Sequence, residues 1–163
     1  MRKFLYFFTS LFFINVQGFA QFEIKEWTIA VYINGRNNVD MFAYTDFNRI
    51  ETQGSDENVN IVAELGRAQG FLPDESTPEV WSGVRRYYVK KDDDKNKINS
   101  ELVVDRGNVD MGSWEEAGDF VRWAKANYPS KKFMFIIWDH GWGWIDPVKD
   151  GQKPVTRSIS HDF

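Results

Sequence analysis

Apolar residues occupy both faces of the segment Trp27 to Asn34 (WTIAVYIN), where β-branched and aromatic side chains follow one another with no polar face. That pattern predicts a central strand of a parallel sheet, covered on both sides, with Asn34-Gly35 turning it into a loop. The period then becomes helical. Val39, Phe42, Ala43, Phe47 and Ile50 fall at helical spacing, Asn38 or Asp40 is available as the cap, and Gln53-Gly54-Ser55 ends the helix. Asn58 to Leu65 (NVNIVAEL) reads as a second strand, and Gly66 to Gly83, with Pro73 and Pro78, as a loop. Val84 to Lys91 (VRRYYVKK) alternates enough for a third, less buried strand. Ser113 and Glu116 have the spacing of a capping box, and Ala117, Phe120, Val121 and Ala124 form the buried stripe of the helix that follows. Pro129 stops that helix, and Lys132 to Trp138 is a fourth strand. The order strand, helix, strand, strand, helix, strand predicts an α/β sandwich with a largely parallel sheet.

Composition changes this picture at the N-terminus. Arg2 and Lys3 precede an apolar block, Phe4 to Val16, and Gly18-Phe19-Ala20 has the small-x-small pattern of a signal-peptidase site. The block is shorter than the roughly 20 apolar residues of a membrane span. The expectation is a signal peptide over residues 1–20 and one exported domain over 21–163, in the periplasm or outside the cell, with no membrane span after cleavage. Loss of Arg2 and Lys3 makes the net charge more negative than the −4 of the whole chain. With no long basic run, nucleic acid is a poor partner. Export permits disulfides, yet the chain has no cysteine, so burial of its 17% aromatic residues must supply stability. Lys90 to Lys97 (KKDDDKNK) is a solvated loop; it lacks the alternating oxygen ligands and the glycine of a calcium loop.

The candidate chemistry lies in Lys131 to Trp144 (KKFMFIIWDHGWGW), where an apolar strand runs into Asp139-His140-Gly141. The carboxyl end of a strand is where an α/β protein presents reactive groups, and histidine is suited to moving protons near neutral pH. Gly141 lets the backbone turn and can offer a main-chain N–H to an oxyanion; Trp142 and Trp144 can exclude water. The residues alone leave alternatives open. His140 can simply bond a backbone carbonyl, and Trp142 and Trp144 can cover a core edge. A metal on Asp139, His140 and Asp146 has no second histidine at ligand spacing. A triad with Ser158 or Ser160 has no Gly-x-Ser-x-Gly turn.

The ordered blocks WTIAVYINGRNNVD, NVNIVAELGR, RRYYVKKD, NVDMGSWEEAGDFVRWAKANYPSKKFMFIIWDHGWGW and RSISHD make the chain resemble the clostripain family of cysteine endopeptidases. The resemblance implies a caspase-like three-layer α/β sandwich and cleavage of protein or peptide substrates after arginine or lysine. It also implies a His-Cys dyad whose histidine sits in an Asp-His-Gly motif. It maps the general acid/base onto His140 and an oxyanion N–H onto Gly141. Family members can depend on calcium, for which no site was located in the sequence. Asp139, pointing to the other face of the strand end, is expected to orient the turn. Two departures stand out. Arg36 occupies a position that tends to be acidic in the family, and the Asp-x-Cys strand expected after the histidine is absent. The expectation is therefore a fragment holding the base without the nucleophile and inactive alone, or one completed by a second chain that carries the cysteine. The alternative is a non-catalytic exported domain that binds peptide or sugar through the Trp-rich WDHGWGW turn.

Overall fold

The computed structural model describes residues 24–68 and 80–140. Five strands, β1 (Lys25–Gly35), β2 (Val59–Arg67), β3 (Gly83–Tyr88), β4 (Glu101–Gly107) and β5 (Ser130–Trp138), form one sheet in the order β4-β3-β2-β1-β5. β1 pairs in parallel with β2 on one side and β5 on the other, while β3 and β4 add antiparallel pairs beyond β2. The helices α1 (Asp40–Glu51), between β1 and β2, and α2 (Trp114–Asn127), between β4 and β5, cover opposite faces. Alternation along β1 decides the faces. Val31 and Ile33 pack with Ala43, Tyr44 and Phe47 of α1, whereas Ala30 and Tyr32 pack with Phe120 and Ala124 of α2. A strand that must bury both faces has no polar face, which explains the unbroken apolar run.

Several expectations were met in kind and changed in detail. The central place of β1 and the solvated character of Lys90 to Lys97 hold. β4 was not foreseen. It is an antiparallel edge strand interrupted by Glu101, Asp105 and Arg106, with Leu102 and Val103 exposed, so neither face carries an apolar alternation. β2 runs past Leu65 because Gly66 does not make a turn. A Cβ there would lie 2.2 Å from Met111 Sδ, so this glycine admits a close-packed neighbour within the strand.

Neither Asn38 nor Asp40 caps α1. Val39 stands at the cap position without a side-chain bond, and Asp40 is the first helical residue. The buried face of α1 is Asp40, Ala43, Tyr44, Phe47, Asn48 and Glu51, and Phe42 is exposed. At α2, Ser113 is the cap and accepts from the Glu115 N–H at 3.1 Å. Glu116 does not complete the box. It turns instead to Arg106, with bonds of 3.0 and 2.9 Å, because a bidentate guanidinium pair outcompetes one capping bond.

Under α2 the sheet carries a charged network. Glu64 and Arg86 form a buried pair, and Arg86 also bonds Asp119 at 2.8 Å and reaches Glu116 at 3.3 Å. Burial pushes the Glu64 carboxyl up to about 7, against the opposing pull of Arg86. The Asp119 carboxyl is held below its usual value, chiefly by its hydrogen bond from Arg86. On the α1 face, burial raises the Glu51 carboxyl even though Ser100 and Asn99 donate to it.

Among the described residues β5 is an edge strand, paired only with β1, and Met134, Ile136 and Ile137 remain exposed along it.

Candidate active site

Because β1, β2 and β5 are parallel, their carboxyl ends share one edge of the sheet, the usual ligand edge of an α/β fold. The register sets Ile33 opposite Trp138, so β1 and β5 leave the sheet side by side and Asn34 emerges beside Asp139. The loop from β1 into α1 crosses this edge at close quarters. A Cβ on Gly35 would lie 2.6 Å from both Ala43 Cβ and the Gly66 carbonyl oxygen, so glycine is what permits the approach.

Asn34 at the end of β1 and Asn37 and Asn38 of that loop reach the Asp139-His140 pair. Asn37 Nδ2 donates to Asp139 Oδ1 at 3.0 Å, and Asn34 Nδ2 stands 3.5 Å from Asp139 Oδ2. The His140 backbone N–H also donates to Asp139 Oδ1, at 2.7 Å. The Asp139 carboxylate thus orients the turn by bonding the neighbouring loop and the main chain. The imidazole has a different partner: His140 Nε2 lies 2.8 Å from Asn38 Oδ1. Asn34 and Asn37 are buried, while Asn38 and His140 are exposed, so the dry part of the site is the scaffold and the wet part is the imidazole.

The loop is itself held by main-chain bonds. Asn34 Oδ1 accepts from the Arg36 N–H at 3.1 Å and Asn37 Oδ1 from the Val39 N–H at 3.0 Å. The start of α1 is tied to the end of β2 by a buried bidentate pair, Arg67 to Asp40, at 2.8 and 2.9 Å. Asp40 also accepts from the Ala68 N–H at 2.9 Å. The Arg67 guanidinium lies over the Tyr44 ring, 4.7 Å from its centre, and faces Trp81 at 5.4 Å. Trp138 Nε1 donates to Asp46 at 3.0 Å, which fixes the end of β5 against α1. The sequence reading missed Asn34, Asn37, Asn38 and the Asp40–Arg67 pair. The run Asn34-Gly35-Arg36-Asn37-Asn38 was itself a signal, since such residues favour local side-chain to backbone bonding.

Gly141, Trp142, Trp144, Asp146, Ser158, Ser160 and His161 lie outside the described residues, as do residues 1–23. Among the described residues no helix is long and apolar enough to cross a membrane. No group of three or more His, Asp or Glu side chains among them is placed to hold a metal ion. In the Asp92 to Asp94 run, Asp92 and Asp94 accept from the Asp94 and Asn96 N–H groups at 2.6 and 3.0 Å, which shapes the turn.

The model of the clostripain family matches residues 31–163. The chain belongs to the clostripain family. It is 27% identical to clostripain of Hathewaya histolytica over 143 residues, which is 83% of this chain and 26% of the relative. It therefore spans about a quarter of that protein's length. Two solved structures share its fold. A B. fragilis cysteine protease is 19% identical with a TM-score of 0.58, over 77% of this chain and 98% of the matched chain. A secreted C11 cysteine protease from Bacteroides thetaiotaomicron, in complex with an irreversible peptide inhibitor, is 19% identical with a TM-score of 0.55, over 85% and 36%. The mixed sheet with helices on both faces is the caspase-like α/β arrangement that the sequence resemblance implied.

Proposed function

We propose that this chain is the histidine-bearing part of an exported cysteine endopeptidase that cleaves proteins or peptides after arginine or lysine. The observation that carries the reading is the hold on Asp139-His140 at the carboxyl edge of the sheet, where side chains from the β1–α1 loop orient both the turn and the imidazole. A general base must be aimed as well as basic, and the loop supplies the aim. His140 takes the proton of a thiol as sulfur attacks the scissile carbonyl carbon. It returns that proton to the amine nitrogen as the C–N bond breaks, and water then releases the acyl group from sulfur. The Gly141 N–H stabilises the oxyanion formed in each addition. Asp139 acts through the turn and does not touch substrate.

The 163 residues contain no cysteine, so the thiol comes from a segment outside them, on the same polypeptide or on a second chain. The open edge at β5 is a suitable place for the strand that carries it, because an exposed edge with apolar side chains invites pairing. The same fold unit covers nearly the whole of one matched chain and about a third of another, which supports either arrangement. The N-terminal pattern of Arg2 and Lys3, apolar block and Gly18-Phe19-Ala20 supports export.

The test is co-expression with the polypeptide encoded directly downstream of Phe163, assayed on arginyl and lysyl amides. Turnover should require both parts and should fall by roughly 100-fold or more in His140→Ala, the lower range for loss of a general acid/base. Turnover by the 163 residues alone that disappears in His140→Ala would overturn the reading.

A further inference from the structure

Two oxygens on the buried face of α1, Asn48 Oδ1 and Glu51 Oε2, are shut off from solvent and accept no hydrogen bond. They stand three positions apart, where helical side chains are neighbours, and a long side chain leans back over the preceding turn, here from Glu51 toward Asn48. The other polar atoms of both groups are committed. Asn48 Nδ2 donates to the Tyr44 carbonyl at 3.0 Å, so turning the amide over would set two acceptors against each other. Glu51 Oε1 accepts from the Asn99 N–H at 3.0 Å, the Ser100 N–H at 2.7 Å and the Ser100 hydroxyl at 2.6 Å. A proton on Oε2 turns the remaining pair of acceptors into a donor and an acceptor. We propose that Glu51 is a carboxylic acid in the folded chain, its Oε2–H donated to Asn48 Oδ1, and that this proton latches the 92–100 segment onto α1.

Glu51 is completely buried, and its main-chain carbonyl also accepts from the Asp92 N–H at 2.9 Å, so one residue ties both ends of the segment to the helix. Burial disfavours the charged form and Asp92 adds to it, against the bonds from Ser100 and Asn99. No cation among the described residues forms an ion pair with Glu51. Arg49 pairs with Asp46 and Lys90 with Glu101, and Lys91, Lys95 and Lys97 are exposed. Loss of the proton therefore leaves a negative charge facing an amide oxygen, and opening of the segment to water relieves it. The latch is complete below the ordinary carboxyl value of 4.5 and is lost as pH rises through the higher value that Glu51 has in the fold. The same helix carries Asp40 and Asp46, whose bonds to Arg67 and Trp138 hold the ends of β2 and β5, so the latch bears on the helix that frames the candidate site.

The test uses the 163-residue chain and two readouts. The first is hydrogen exchange of the Asn99 and Ser100 amides, expressed relative to an unstructured peptide at the same pH. In the parent chain their protection should fall above pH 4.5, by up to about tenfold per pH unit. Glu51→Gln keeps an oxygen for the segment and puts an amide N–H where the carboxyl O–H stood, so its protection should match the parent at acid pH and persist as pH rises. Comparison with the parent at each pH cancels the contribution of Glu64. The second readout is carbon-13 NMR of the glutamate carboxyls, with the Glu51 signal assigned by its absence in Glu51→Gln. That signal should still be protonated about one unit above 4.5, and Asn48→Leu, which removes the acceptor and keeps the site dry, should move its titration downward. A Glu51 signal already ionised at that pH would overturn the proposal. So would a tenfold loss of protection in Glu51→Gln at acid pH, or a titration that stays in place or rises in Asn48→Leu.

Discussion

Replacing Glu64 by glutamine should remove a specific part of the pH dependence of stability. Glu64 is completely buried in the centre of the sheet, and its network sets three carboxylates (Glu64, Glu116 and Asp119) against three guanidiniums (Arg86, Arg106 and Arg122). Desolvation outweighs the pull of Arg86 on this most buried carboxylate, so it is the one that holds a proton. Its ionisation moves from an ordinary 4.5 in the unfolded chain to about 7 in the fold. Between those values the folded state binds more protons than the unfolded state, so this residue's contribution to stability falls as pH rises through the window. It is complete below 4.5 and lost above 7. Each tenfold difference in proton affinity corresponds to about 1.4 kcal/mol, so the whole window corresponds to about 3 kcal/mol.

Glutamine keeps the size and an oxygen for Arg86, and it cannot ionise. Any cost of its unpaired amide is the same at every pH and does not enter the slope. The assay is urea unfolding of both chains from pH 4 to 8, followed by tryptophan fluorescence. The stability of Glu64→Gln relative to the parent should rise by about 3 kcal/mol across that range. A difference that stays flat within about 0.5 kcal/mol, less than a threefold change in proton affinity, would show that Glu64 ionises normally and that Arg86 fully offsets its burial.

Two further substitutions test the parts that hold the site. Asp40→Ala leaves the Arg67 guanidinium buried without its carboxylate and should cost about 3–5 kcal/mol in urea unfolding; a loss below about 1 kcal/mol, the range of a surface pair, would show that the pair does not anchor α1. Gly54→Ala places a side chain at φ +62° with its Cβ 2.2 Å from the Lys91 nitrogen. Left-handed strain alone costs about 1–2 kcal/mol and the backbone must also shift, so a midpoint unchanged in thermal melting would refute the tight turn after α1.

The features legible in the sequence were those that a local pattern can carry. The two-faced apolar run identified β1 as central, because only a strand covered on both sides lacks a polar face. Ser113 identified the start of α2, because a capping bond spans two or three residues. The apolar run into Asp139-His140 placed those residues at the end of β5. What escaped was set by distant parts of the chain. The outer face of β4 offers no burial and hence no alternation, so its existence depends on pairing with β3. Glu116 forsook its local partner for Arg106, which only tertiary packing brings near.

The same division runs through the candidate site. The sequence by itself determined that a histidine and an acidic neighbour stand at a strand exit. The tertiary structure decided which groups aim them. Asn37 and Asn38 lie 102 positions from Asp139 and His140 respectively, and the parallel register of β1 and β5 closes that gap. A hydrogen bond depends on position to a few tenths of an ångström, whereas periodicity reports only which face of an element is buried.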